Sequence, residues 1–212
     1  DLTEYPEVAK SVLNYGIKDL AGRVVAGVNV TEIEKGLKQA VNNFSKQTDT
    51  LYIAGYSTGG TLAIDYMSRA EEPLAGLILF SPLLKINTSA DWLTPIVGSF
   101  VNWLDHKDSD DPAKYASIPV PAMAQVFHLA TEVRNGLKKK PLTLPVFIAM
   151  SAEDKTVNSQ TTLDYFNKQM LNPVSSLWLY SNKKVNFPDD RVQEFNAYNE
   201  DLKITGLSHM SV

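Results

Sequence analysis

Cysteine is absent from this 212-residue sequence, and histidine occurs only three times. Without cysteine there is no disulfide, no thiolate zinc site and no cysteine nucleophile. The absence leaves the redox compartment open, since it suits a cytoplasmic or an exported protein. Long hydrophobic runs are missing too. The longest apolar stretch, Leu74 to Leu84, is broken by Gly76, Ser81 and Pro82, and its eleven residues fall well short of the roughly 20 needed to cross a bilayer. Positive charge is not in excess, since 20 Lys and Arg against 24 Asp and Glu give a formal charge of −4. The basic clusters Lys138–Lys140 and Lys183–Lys184 read as solvated loop ends. A nucleic-acid or anionic-surface partner, which wants a basic face, is therefore not expected. Residues 1–20 begin with Asp1 and lack the basic segment and apolar segment of a signal peptide.

What is present is an ordinary globular balance: 44% hydrophobic, 21% charged, 11 Gly and 11 Pro. It suits one large domain, or one domain with an insertion, and excludes a disordered or collagen-like chain. Helical spacing appears first at Val8, Val12 and Tyr15, and the β-branched run Val24–Val25 with Val28 and Val30 predicts a strand. Thr31-Glu32-Ile33-Glu34 matches a capping box, and Ile33, Leu37, Val41 and Phe44 line one face of the helix it would open. Short apolar strands are then predicted at Leu51–Ala54, Leu77–Phe80, Pro145–Met150 and Leu177–Tyr180. Helices are predicted at Thr58–Ala70 and Ser159–Met170. Strands alternating with helices predict βαβ crossovers and a mostly parallel sheet with helices on both faces.

One interval breaks this rhythm. The 63 residues from Pro82 to Leu144 far exceed the few residues of an ordinary strand-to-helix connection. They hold an apolar segment, Trp92 to Leu104, and a helical pattern over Ala122–Leu137. The expected organisation is a core of residues 1–82 and 145–212 with a helical cap, or lid, over 83–144.

The chemistry-bearing motif is Gly55-Tyr56-Ser57-Thr58-Gly59, a G-x-S-x-G pattern with a predicted strand directly before it and a helix directly after. That context marks a nucleophile elbow, in which a sharp turn lifts the serine hydroxyl above the sheet and small residues avoid neighbouring segments. Side chains at 55 and 59 are expected to collide with those segments. The helix N-terminus and the Thr58 backbone N–H would face developing negative charge, as in an oxyanion hole.

On these residues the sequence resembles the α/β-hydrolase family, whose catalytic order is serine, acid, histidine. The resemblance spans nearly all the chain from Thr31 onward. Ser151-Ala152-Glu153-Asp154-Lys155-Thr156-Val157 resembles the family's acid loop, with Asp154 as the acid and Glu153 a neighbour facing water. Leu207-Ser208-His209-Met210 resembles its histidine loop. Of the other histidines, His106 lies in the charged run Asp105-His106-Lys107-Asp108, a solvated face of the insertion. His128 lies in an apolar helical stretch, where a buried or cap-facing side chain is expected. The resemblance thus implies a Ser57, Asp154, His209 triad.

The size of the insertion, and the wording Leu77-Ile78-Leu79-Phe80-Ser81-Pro82, are similar to monoacylglycerol lipases and capped bacterial carboxylesterases. This implies a carboxylic-ester hydrolase, an esterase or lipase acting on a small-molecule ester with an apolar acyl chain. Tyr56, Ser81, Trp92, Phe100 and Val157 would contact the substrate, the alternative for the Trp92–Leu104 face being that it only packs the cap onto the body. No metal-ligand constellation and no phosphate loop is seen, so no cofactor is implied. A thioesterase, a serine aminopeptidase and a non-catalytic hydrolase-like binding domain share the same pattern. The family also carries a His-Gly loop that supplies a second oxyanion N–H. No His-Gly pair occurs in this sequence, 56 residues precede Ser57 and three follow His209. N-terminal strands and a closing C-terminal helix are therefore expected to be missing.

Overall fold

The computed structural model describes residues 30–69, 74–87, 103–105, 117–201 and 203–209. The segment around Val8–Tyr15, the run Val24–Val28, Trp92, Phe100 and His106 lie outside them.

Five short strands form one parallel sheet: β1 (Tyr52–Tyr56), β2 (Gly76–Phe80), β5 (Val146–Ser151), β6 (Ser176–Ser181) and β7 (Val192–Asn196), in that spatial order. Among the described residues four helices accompany it: α1 (Val30–Phe44), α2 (Thr58–Arg69), α3 (Val120–Lys139) and α4 (Ser159–Gln169). Two antiparallel pairs lie apart from the sheet, β3 (Trp103–Asp105) with β4 (Ser117–Pro119), and β8 (Tyr198–Asn199) with β9 (Ile204–Thr205). Among the described residues no helix is long and apolar enough to cross a membrane.

Parallel strands follow from the connections. A hairpin turn cannot join parallel neighbours, so the chain crosses over and a helix commonly fills the crossover. Alternation along β5 and β6 then assigns the faces. Ile148 aligns with Leu177 and Met150 with Leu179, and these four and Val146 are all buried. All four helices add to the core they form, through Ile33 and Val41, Leu62 and Ile64, Leu129, Val133 and Leu137, and Leu163 and Phe166. At about 1.5–3 kcal/mol per buried large apolar side chain, this core is the larger apolar contribution to stability among the described residues, beside a small second cluster of Leu83, Ala130 and Val157. The opposite sheet face carries a run of touching rings, Phe147 on Trp178, Trp178 on Phe195 and Phe195 on Tyr180, with centroids 5.1–5.4 Å apart. Trp178 and Phe195 are each 37% exposed.

Most predicted elements recur within one or two residues, the usual scatter of element ends. Three details differ. First, α1 begins at Val30, so Thr31 is already helical and the expected capping box does not form; the Val30 N–H donates instead to Gln125 Oε1 of α3 at 3.1 Å. A side chain 95 residues away thus does the work of a local cap. Second, α3 is longer than the predicted Ala122–Leu137 and inserts Leu129, Val133 and Leu137 into the main core. Third, β7 was not predicted. Its sequence Val192-Gln-Glu-Phe-Asn is a weak strand pattern, and the crossover before it contains no helix. That crossover is held by Glu194, whose carboxylate accepts from the Val185 and Phe187 N–H groups at 2.9 and 3.1 Å.

Candidate active site

The C-terminal ends of β1, β5 and the β8–β9 segment bring three side chains together. Ser57 directly follows β1 and directly precedes α2, and its backbone is left-handed, with φ 52°. A non-glycine residue there is strained by roughly 1–3 kcal/mol and is held only by its surroundings. Those surroundings are explicit. The Ser57 N–H donates to Phe80 O at 2.9 Å, and its carbonyl accepts from the Thr61 and Leu83 N–H groups at 3.2 and 3.1 Å. Thr61 Oγ1 then donates to Leu83 O at 2.7 Å, which ties the elbow to the loop after β2.

The glycines of the motif are not equivalent. A Cβ on Gly55 would lie 2.5 Å from Gly59 O, so the strand and helix pass too closely for any side chain. A Cβ on Gly60 would meet Pro82 at 3.0 Å. At Gly59 a Cβ meets nothing within 4 Å, so the expected collision at that position does not occur. What comes close there is the Gly59 carbonyl, not the direction its side chain would take.

His209 Nε2 lies 2.8 Å from Ser57 Oγ, and its Nδ1 lies 2.6 Å from Asp154 Oδ2. Ser57, Asp154 and His209 are 1%, 3% and 9% exposed. The second Asp154 oxygen accepts from the Thr156 and Val157 N–H groups at 2.7 and 3.0 Å. Burial opposes charge on Asp154. Hydrogen bonds from His209, Val157 and Thr156, together with the attraction of His209, outweigh it and hold the carboxyl below its ordinary value. Asp154 is thereby an anion at neutral pH, aimed at one imidazole nitrogen while the serine faces the other.

Thr58 opens α2, and the first N–H groups of a helix have no partner within it. They face the turn that carries Ser57, where the positive end of the helix dipole also lies.

Glu153 does not face water as expected. It is partly buried, and Oε1 accepts from Ser181 Oγ at 2.9 Å and from the Asn182 N–H at 3.0 Å. The acid loop therefore packs on the end of β6, and its first carboxylate is taken up as a brace. His128 corrects the other way. It is exposed on α3, with its ring edge-on to Phe127 at 5.9 Å.

The expected substrate contacts divide. Tyr56 sits beside the imidazole, and its hydroxyl donates to the His209 carbonyl at 2.9 Å. Val157 is buried against Leu83 and Ala130 while its N–H serves Asp154. Ser81 is fully buried, with φ 40° and no partner for its hydroxyl among the described residues. Trp92 and Phe100 are outside the described residues.

Two supporting residues carry no local signal. Asn87 Nδ2 donates to the Asp154 carbonyl at 2.8 Å, and the Asn87 N–H donates to Thr156 O at 2.9 Å. Arg134 of α3 donates to the Leu84 carbonyl and, at 3.0 Å, to Thr131 Oγ1. Together they clamp the loop after β2 between the acid loop and α3. Among the described residues no group of three or more His, Asp or Glu side chains is arranged to hold a metal ion.

Comparison with known proteins fits this geometry. Residues 28–119, less than half of the chain, match the sequence pattern of the family described as serine aminopeptidase, S33. No curated protein matches the sequence. Several solved structures resemble the chain, three of them as follows. One belongs to the pair LipS and LipT, two metagenome-derived lipolytic enzymes, with TM-score 0.62 and 19% identity over 73% of this chain. Another is the monoacylglycerol lipase of Paleococcus ferrophilus, at 0.59 and 15% over 73%. The third is a soluble variant of monoglyceride lipase from Saccharomyces cerevisiae bound to a substrate analogue, at 0.57 and 13% over 71%. The chain spans 64%, 66% and 59% of their respective lengths, just under two thirds. With its parallel five-stranded sheet and a strained serine between β1 and α2, the chain has the α/β-hydrolase fold and resembles the lipases and esterases of that superfamily.

Proposed function

We propose that this chain is a serine hydrolase of carboxylic esters that works through an acyl-enzyme on Ser57. One observation carries the reading: an unbroken line from Asp154 Oδ2 to His209 at 2.6 Å and from His209 to Ser57 Oγ at 2.8 Å. Serine alone is a weak nucleophile and needs an adjacent base that is itself oriented by a third group.

In the proposed mechanism, His209 Nε2 takes the Ser57 proton as Oγ attacks the ester carbonyl carbon. The carbonyl oxygen becomes an oxyanion facing the Thr58 N–H and the N-terminus of α2. His209 passes its proton to the departing alkoxide, which leaves as the alcohol, and an acyl-Ser57 ester remains. Water then gives a proton to His209 and attacks this ester. Collapse of the second tetrahedral adduct returns the proton to Ser57 Oγ and frees the acid. Asp154 stays ionised throughout, holds the imidazole in one tautomer and stabilises its cation.

The domain division is part of the proposal, with residues 83–144 as a cap over the core formed by 1–82 and 145–212. Within it, the inner face of α3 belongs to the core. An apolar cap segment from Trp92 to Leu104, including Phe100, favours an aliphatic acyl chain by about 0.8 kcal/mol per buried CH₂. The likeness to two monoacylglycerol-type lipases and a lipolytic enzyme favours an ester over the peptide bond that a serine aminopeptidase cleaves.

The test is fluorophosphonate labelling followed by intact mass, on the protein and on Ser57→Ala, beside p-nitrophenyl esters of increasing chain length and an amino-acid p-nitroanilide. One label per chain, lost in Ser57→Ala, with ester turnover rising with chain length, is the expected result. Faster turnover of the anilide would replace the ester reading with the peptidase one. A folded protein that does not label would leave a binding domain.

A further inference from the structure

We propose that Tyr56 is a positioning residue for His209, setting the distance between base and nucleophile by holding the His209 main chain. The inference rests on the reading of Ser57 and His209 as the reacting pair, and it gives Tyr56 a task other than substrate contact. Three groups tie His209 down. Asp154 and Ser57 hold the two imidazole nitrogens, and the Tyr56 hydroxyl donates to the main-chain carbonyl at 2.9 Å. The Tyr56 ring also lies against the imidazole, with centroids 5.0 Å apart and planes tilted by 39°.

Chain geometry makes the third tie special. Tyr56 is the last residue of β1 and is joined by one peptide bond to Ser57. The circuit from the Ser57 main chain through the phenol to the His209 carbonyl, and back through the imidazole to Ser57 Oγ, is therefore closed and short. Among the described residues around it, the histidine belongs to no helix or strand. The two-residue strand β9 ends at Thr205, and His209 follows in a stretch without helix or strand. A loop of that kind wanders unless side chains fix it, and an error of about 1 Å between reacting groups can lower turnover about 100-fold.

The phenol is suited to a permanent donor. Burial, and then the Asp154 charge, push its pKa up to about 12, so the hydroxyl stays protonated wherever the protein is folded and working. Its ring has only two torsions to fix, so holding it sacrifices little freedom.

The experiment compares the full chain with Tyr56→Phe, using Tyr180→Phe as control, since the Tyr180 ring stacks on Phe195 instead of the imidazole. Three quantities are read: the thermal midpoint, kcat and KM for the best p-nitrophenyl ester, and the far-downfield proton resonance of the short His209–Asp154 bond. In Tyr56→Phe the expected result is a midpoint within about 4 °C and an unchanged KM. kcat falls about 10- to 100-fold, and the downfield resonance broadens or moves upfield. Tyr180→Phe changes none of the catalytic or spectroscopic readings. Wild-type kcat together with an unmoved resonance overturns the proposal. So does a rise in KM with the resonance unmoved, since the hydroxyl would then act on substrate. A protein that neither labels nor turns over esters would sink the hydrolase reading alone; the resonance in Tyr56→Phe would still decide whether the tyrosine holds the histidine.

Discussion

Two serines occupy matched places in this sheet. Ser57 follows β1 and Ser81 follows β2, and the strands are aligned so that Tyr56 pairs with Phe80. Both serines are buried and left-handed, with φ 52° and 40°. Each N–H continues the parallel ladder to the next strand, Ser57 to Phe80 O and Ser81 to Ala149 O, both at 2.9 Å. The difference begins one residue later. Ser57 runs straight into α2 and meets an imidazole. Ser81 runs into Pro82, and its hydroxyl has no partner among the described residues. Strain at a strand end is therefore not a site by itself. On the reading proposed here it becomes one where a helix N-terminus follows and an oriented base stands opposite.

The largest test of this contrast is removal of each hydroxyl. Ser57→Ala should lower ester turnover by about 10⁶-fold and abolish labelling, as expected where nucleophile and base act as a unit. Equal losses in Ser57→Ala and Ser81→Ala would break the comparison.

The close packing of the Ser57 turn gives the next effect. Gly55→Ala forces a Cβ to within 2.5 Å of a backbone oxygen and should destabilise the protein by about 1–3 kcal/mol while lowering activity. Gly59→Ala meets open space and should leave stability level or raise it by up to about 1 kcal/mol, since alanine is the better helix former. Denaturant midpoints for the two variants check this, and similar losses in both would show the turn to be less specific than the geometry implies.

Acid sharpens the contrast further, because only Ser57 faces a titrating pair. The Asp154 carboxyl is held below its ordinary value of 3.8. Its stabilising contribution is thus fully present above that pH and lost as pH falls through the lower folded value. Asp189, lowered chiefly by its hydrogen bond from Arg191, acts in the same direction. Stability measured from pH 5 downward should fall as these two carboxylates protonate, and Asp154→Asn should flatten that fall. A profile unchanged by Asp154→Asn would remove the carboxylate from this account.

The smallest effect on the reaction belongs to Ser81. Ser81→Ala deletes a buried hydroxyl that lacks a partner, a group whose burial costs about 1–3 kcal/mol when unsatisfied. Stability should hold or rise by up to that amount, with kcat and KM unchanged. A fall in kcat would give Ser81 a part in the reaction.

What could be read from the amino-acid sequence was local or ordered along the chain. Helical spacing located α1, α2 and α4, apolar runs located β1, β2, β5 and β6, and the G-x-S-x-G context together with the order of Ser57, Asp154 and His209 singled out the three residues of the proposed site. The Ser57–His209 contact at 2.8 Å, across 152 residues, agrees with that order. Strand β7 escaped because five residues with one β-branched side chain carry too little pattern, and its place is made by Glu194 and by pairing with β6.

Period, capping chemistry and motif order are properties of neighbouring residues, so the amino-acid sequence by itself determined the alternation of strands and helices and which serine, acid and histidine to consider. Only the tertiary structure decided that Gly60 and not Gly59 is tightly packed, that Glu153 is a brace, and that Asn87 holds the acid loop. It also decided that Tyr56 reaches the carbonyl of a residue 153 positions away. These depend on which segments the sheet brings side by side, and a hydrogen bond between distant residues leaves no trace in the pattern around either partner.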